Sequence, residues 1–195
     1  MIDTILKTLT GIGSLLGTVA FVQNLSKEVT ASNKAQWEKL VSVIGPKDFD
    51  DLQYDLSTDR IRLAIREKML TLAYAIDKDD YSVTGFKSLF RSRIRQKLQD
   101  WYQLYKSFQQ LVQVPIWNPK GNPGEWEGYI LDKELFYADI LRDNRREALL
   151  SADRQLNTHR DTVLNLAEQM EAVFVDIQRL ANRDAFEFVL PWKWA

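Results

Sequence analysis

One arginine and the only histidine of the chain have a spacing that could do chemistry on phosphate esters. Arg154 precedes His159 by five positions, in the stretch RQLNTH. An imidazole can move a proton to or from the 2′-hydroxyl or the leaving oxygen of RNA, and a guanidinium can hold the phosphate. The pair thus has the functional groups for proton transfer and phosphate binding, and Arg154 and His159 are the candidate catalytic residues.

The same histidine lies on the seam of a predicted long helix, which gives it a structural interpretation as well. Apolar residues from Leu149 to Leu180 recur at steps of three and four, a heptad pattern of nearly five repeats. On that helix His159 takes a d position and Arg154 an f position on roughly the opposite face. The sequence therefore favours His159 as a polar seam residue that sets helix register, with catalysis as the alternative.

The R-x-x-x-x-H stretch of Arg154 and His159 resembles the motif of HEPN ribonucleases. An apolar N-terminal helix before a helical body of this size is similar to the membrane-anchored HEPN-like proteins of bacterial anti-phage defence systems. The resemblance covers these six residues and the general layout of the chain. It implies a small helical domain that pairs two such motifs across a dimer interface to cleave RNA.

A basic segment before the long helix is the second candidate site. Five positive charges fall between Asp80 and Asp100 with no acidic residue among them. They are Lys87, Arg91, Arg93, Arg95 and Lys97. Such a patch could bind the phosphates of RNA or of anionic lipid headgroups. The favoured alternative is a solvated face that pairs with neighbouring acidic residues, such as those of the stretch DKDD at 77–80.

The N-terminal run from Thr8 to Ser26 carries no charged side chain. As a helix its nineteen residues would span roughly 29 Å, close to the hydrocarbon thickness of a bilayer. Gly13 and Gly17 form a G-x-x-x-G pair, which lets another helix approach closely. Residues 3–26 are therefore predicted as a membrane anchor, single-pass or peripheral, with the remaining bundle in the cytoplasm. The alternative is a core helix of a soluble cytoplasmic protein.

Composition excludes several other kinds of site. The 195 residues include no cysteine and one histidine, so disulfides, thiolate metal sites, cysteine nucleophiles and a histidine-rich zinc site within one chain are excluded. The 26 basic and 27 acidic residues nearly cancel, which leaves any phosphate binding to a local patch. The common nucleotide-binding, hydrolase and zinc-protease motifs do not occur. We expect no cofactor and no metal.

The fold class predicted from these patterns is all-α, a bundle of five or six helices, and a sheet of three or more strands would contradict it. Residues 1–30 form the N-terminal apolar helix and residues 31–195 the bundle, whose core pairs a helix over 86–112 with one over 147–182. Residues 115–128 contain three prolines and are predicted as a loop that is neither helix nor central strand. Trp117 and Trp126 are expected to pin that loop, and the helical pattern resumes at Tyr129.

These observations predict a membrane-associated helical protein that acts by forming homo-oligomers or by binding a partner, with a role in bacterial defence implied by the resemblance. One alternative is the HEPN-like ribonuclease, with RNA as the ligand. The other is a soluble helical interaction module.

Overall fold

The structure is a computed structural model that describes residues 21, 24, 27–86, 91–120, 128–138 and 146–182. The helices are α1 (27–43), α2 (Pro46–Ser57), α3 (Leu63–Asp77), α4 (Tyr81–Thr84), α5 (Arg91–Val112), α6 (Lys133–Tyr137) and α7 (Arg146–Asn182). The strands are β1 (Arg60–Arg62), β2 (Trp117–Lys120) and β3 (Gly128–Leu131). The predicted helical character is confirmed, with five long helices and two short ones in the described part of the chain.

The core is organised around the contact between α5 and α7, the most extensive contact between two elements. The predicted pairing of these two helices is therefore confirmed. Phe174 on α7 also reaches the neighbouring helices, with its ring centroid 4.8 Å from that of Trp37 on α1 and 5.1 Å from that of Phe49 on α2. Trp101 on α5 is fully buried. Burial of these large apolar side chains is the main stabilising term of the bundle.

One antiparallel sheet of three short strands was not predicted from the sequence, and it contradicts the prediction of a purely helical bundle, although the fold is mostly helical. Its order is β1, β3, β2, and the register pairs Arg60 with Ile130 and Trp117 with Leu131. The prediction of a loop over residues 115–128 is wrong for residues 117–120, which form β2, and for Gly128, which begins the central strand β3. The prediction that a helix resumes at Tyr129 is wrong too. Strands of three or four residues are too short for an alternating pattern to stand out.

The sheet makes specific demands on two residues of this proline-rich stretch. Pro119 has no N–H for a ladder, and it lies on β2, which is an edge strand in the described part of the sheet. A Cβ atom at Gly128 would lie 2.7 Å from the carbonyl oxygen of Ile61 on β1. Only glycine lets the two strands approach this closely.

In the described residues, no helix has the length and apolar composition needed to cross a membrane. The predicted anchor over residues 3–26, with its helix contact at Gly13 and Gly17, falls outside the described residues except at positions 21 and 24. The division into residues 1–30 and 31–195 stays a prediction.

Candidate functional site

His159 lies where three elements meet. Its Nε2 accepts a hydrogen bond from the indole N–H of Trp117, with 2.9 Å between the two nitrogens. Because Nε2 is the acceptor, the other ring nitrogen is the one that donates to the main-chain carbonyl of Leu111, in the last turn of α5. Both nitrogens of the imidazole are therefore engaged within the chain. These contacts support the structural interpretation of this histidine.

The surroundings of His159 favour the neutral imidazole. Burial lowers the pKa of His159 below its ordinary value of 6.5, and the hydrogen bond to the Leu111 carbonyl opposes that shift only in part. A neutral ring also suits the contact with Trp117, because a protonated Nε2 could not accept the indole hydrogen bond.

Arg154 does not join His159 in the described structure. Its side chain is exposed on α7, and no hydrogen bond or ion pair between described residues links it to the histidine. Arg160, the residue after the histidine, donates to Asp59, with 2.5 Å from its Nε to Oδ1 and 2.8 Å from its Nη2 to Oδ2. The structure thus does not bring the predicted catalytic pair together within one chain.

The predicted phosphate patch is partly neutralised by acidic residues. Lys87 and the side chain of Arg91 lie outside the described residues. Arg95 pairs with Asp79 at 2.8 Å, and Lys97 pairs with Asp176 of α7 at 2.9 Å. The pairing of Arg95 with the DKDD stretch is the alternative that the sequence favoured.

A groove of about 450 Å³ runs along the contact between α5 and α7 beside these pairs. Its charged lining consists of Arg93, Lys97, Asp176 and Arg179. Asp176 also approaches Arg179, at 3.4 Å, so the acidic residue at the centre of the groove already serves two cations. Three cations outnumber this one carboxylate, so the groove keeps a positive lining that Asp176 neutralises only in part.

A buried carboxylate that the sequence analysis missed ties α2 to β1. Asp55 is completely buried and accepts hydrogen bonds from the main-chain N–H of Arg62 at 3.0 Å and from its Nε at 2.7 Å. Arg60 approaches the other carboxylate oxygen at 3.6 Å, and Arg62 also reaches Asp51 at 3.1 Å. The pKa of Arg62 is raised, chiefly by the hydrogen bond to Asp55. The alternation of Arg60 and Arg62 around an apolar residue is typical of a strand, but it does not identify Asp55 as their partner.

The outer face of α3 carries a row of exposed apolar side chains, which we call the α3 apolar row. It consists of Leu63, Leu70 and Tyr74, exposed to 41%, 51% and 64%. Each residue of a helix is rotated by about 100° from the last, so these three positions fall within about 20° of Leu63. The inner face packs Ile65 and Met69 into the core.

The sequence analysis treated α3 as an ordinary amphipathic helix, although the signal for its outer row was present. Leu70 and Tyr74 do not belong to the buried stripe of that helix, and their spacing of four places them side by side.

In the described part of the chain, no group of three or more histidine, aspartate or glutamate side chains could hold a metal ion. A comparison of the sequence with protein-family models and with curated proteins, and of the fold with solved structures, found no match.

Proposed function

We propose that this chain is an interaction protein whose helical body binds another polypeptide through the α3 apolar row. We propose further that the uncharged run within residues 3–26 holds the body at a membrane, with the bundle on the cytoplasmic side. A role in bacterial defence rests on the sequence resemblance alone.

The exposure of Leu63, Leu70 and Tyr74 is the observation that carries this proposal. Single exposed apolar residues are common, but here three fall along one line of the same helix. The helix behind the strip is held firmly, since Met69 and Leu72 are buried. A rigid strip costs little conformational entropy when a partner covers it, and a tyrosine such as Tyr74 is typical of binding hot spots.

The geometry around His159 supports binding over catalysis. A general acid or base needs one ring nitrogen directed at the substrate, whereas Trp117 and Leu111 use both. The ribonuclease with Arg154 and His159 remains the alternative proposal, and it requires a second copy of the chain to supply the missing partner of the imidazole.

Binding at the α3 apolar row is tested by site-specific photo-cross-linking in cells. The probe replaces Thr71, which is exposed beside the row, and a matched probe replaces the exposed Glu168 on α7. We expect the probe at position 71 to form an adduct that disappears when Leu70→Glu is added. Any adduct formed by the probe at position 168 should be unaffected by Leu70→Glu. Because Leu70 is half exposed, the substitution should change the free energy of unfolding by less than about 1 kcal/mol. Absence of any adduct from position 71 would contradict the proposal.

The membrane part is tested separately by washing cell membranes at alkaline pH and floating the protein with liposomes. We expect the full chain to stay with the membrane or to float with liposomes, and Leu16→Asp within the run to reduce both. A full chain that remains in the supernatant and does not float would leave the soluble interaction module as the function.

A further inference from the structure

We propose that the polypeptide that covers the α3 apolar row is a second copy of this chain, with the two α3 helices packed antiparallel about a twofold axis. The inference rests on the proposed function and adds the identity of the partner. Its basis is that the outer face of α3 is complementary to itself.

The apolar residues of the row match one another in this arrangement. Suppose that the twofold axis crosses the two helices at the level of Leu72. A residue that precedes Leu72 by some number of positions then faces the residue of the second copy that follows Leu72 by the same number. Leu70 then faces Tyr74 of the second copy, and the twofold repeats this contact. Both side chains are among the large apolar residues that are exposed in the described structure.

On each edge of the row, opposite charges lie within one residue of the level that this register requires. Glu67 and Lys78 lie on one edge of the row, rotated by about 40° and about 60° from Leu63. Both side chains are exposed, and the backbone at Lys78 continues the helical conformation. In an antiparallel pair the same edges of the two helices meet, so Glu67 lies next to Lys78 of the second copy, and the twofold repeats this contact.

The opposite edge of the row also carries one positive and one negative side chain, and both of these form hydrogen bonds within the chain. Arg66 and Asp77 are related in the same way, rotated by about 60° and about 40° to the other side of Leu63. Arg66 is hydrogen-bonded to the Tyr129 hydroxyl, and Asp77 accepts from the Tyr102 hydroxyl at 2.9 Å. Opposite charges at matching heights on both edges select a second copy over an unrelated helix, because an isologous contact needs this reciprocity.

The contact should be weak in dilute solution. One face of a 15-residue helix offers less area than the roughly 1,200 Å² that stable interfaces bury. A membrane anchor would raise the local concentration of the chain and favour the pair without any new contact.

The test is a charge exchange in the purified full chain, measured by sedimentation velocity over a range of concentrations in one non-ionic detergent. The variants are E67K, K78E and the double variant E67K/K78E, with E168K on α7 as a control of equal charge change. Each single variant places like charges together twice and should weaken self-association by about tenfold. The double variant should restore it, and an equimolar mixture of the two single variants should form a mixed dimer. E168K should associate like the wild type.

Wild-type chain that stays monomeric at every concentration would overturn the second copy as partner. So would equal self-association of all four variants, because that dimer would use another surface. The photo-cross-linking at position 71 separates the two proposals. An adduct of twice the chain mass supports both, an adduct of another mass overturns only the second copy, and no adduct overturns both. Circular dichroism of each variant excludes misfolding as the cause.

Discussion

The indole N–H of Trp117 donates to Nε2 of His159 across 2.9 Å, and this bond joins the edge strand β2 to the middle of α7. Trp117 is almost fully buried, so the bond is shielded from water on the indole side. With Leu111 on the other ring nitrogen, His159 connects the end of α5, the start of β2 and the long helix α7.

Trp117→Phe should lower the free energy of unfolding by about 1 to 2 kcal/mol, because the half-buried Nε2 of His159 loses its donor. Urea unfolding followed by circular dichroism measures this change. The same substitution in a His159→Ala background should cost about 1 kcal/mol less, since no acceptor remains. Equal costs in the two backgrounds would show that the hydrogen bond contributes nothing.

Stability should fall as pH decreases through the range in which His159 titrates. The pKa of this histidine is lowered in the folded state, so below pH 6.5 the unfolded chain takes up a proton before the folded chain does. Protonation therefore favours unfolding from about pH 6.5 down to the folded-state pKa, and the effect is absent above about pH 7.5.

The chain has one histidine, so its nuclear magnetic resonance titration reports this pKa without overlap. Unfolding curves of the wild type at about pH 7.5 and about pH 5.5 measure the effect on stability, with His159→Gln as the reference for all other titrating groups. A loss of stability that is the same in both proteins would contradict the prediction.

Labelled RNA should remain uncut by the purified wild-type chain, since both ring nitrogens of His159 are engaged. The measurement compares the wild type with His159→Ala after both have been checked for folding and oligomeric state. Cleavage by the wild type alone, lost in His159→Ala and in Arg154→Ala, would establish the ribonuclease in place of a purely binding function.

The helical part of this fold was predictable because long apolar patterns have many repeats. The stripe that ends at Val112 and the seam through Met170 identified the two helices of the central pair. The buried face of α7 differs from the predicted seam. Ala167 and Phe174 are buried although they lie outside the predicted seam, and His159, which was predicted on the seam, is only half-buried. A helix that packs on more than one neighbour buries a wider face than a two-helix seam.

The sheet and the candidate sites were harder to predict, since they depend on contacts between distant segments. Trp117 was expected to pin its segment to the body, and its burial confirms that. Its bond to His159 joins residues 42 positions apart, and no local pattern signals such a pair. In the sequence, Asp55 is one of several acidic residues in its segment, and only the fold shows that its side chain is the buried one.

Asp55→Ala should lower the free energy of unfolding by roughly 2 to 4 kcal/mol. The substitution removes a fully buried carboxylate, so Arg60 and Arg62 lose their negatively charged partner. Because both arginine side chains are partly exposed, water replaces some of the lost interaction. Asp50→Ala on the same helix is the matched control, because Asp50 is exposed, and its effect should be within about 0.5 kcal/mol. Chemical denaturation of both variants decides the matter, and similar values for the two would refute the role of Asp55.

Gly128→Ala should lower the free energy of unfolding by about 2 kcal/mol, because the new Cβ would press on the carbonyl oxygen of Ile61. Gly45→Ala is the control, since a Cβ there meets its neighbours at ordinary contact distances of 3.5 Å or more. Its effect should stay within about 1 kcal/mol. Hydrogen exchange of the β1 and β3 amides should accelerate in Gly128→Ala alone, and unchanged exchange would show that the strands can adjust.

The pairing of β1 with β3 sets an order of events during synthesis. Arg60 leaves the ribosome about 70 residues before its partner Ile130, a delay of roughly 4 to 14 s at ordinary elongation rates. Through that interval β1 has no neighbouring strand, while α2 and α3 on either side of it can already form their local hydrogen bonds. The nascent chain thus carries an exposed strand edge until its own later segment covers it, and slow translation between these two points would prolong its risk of aggregation.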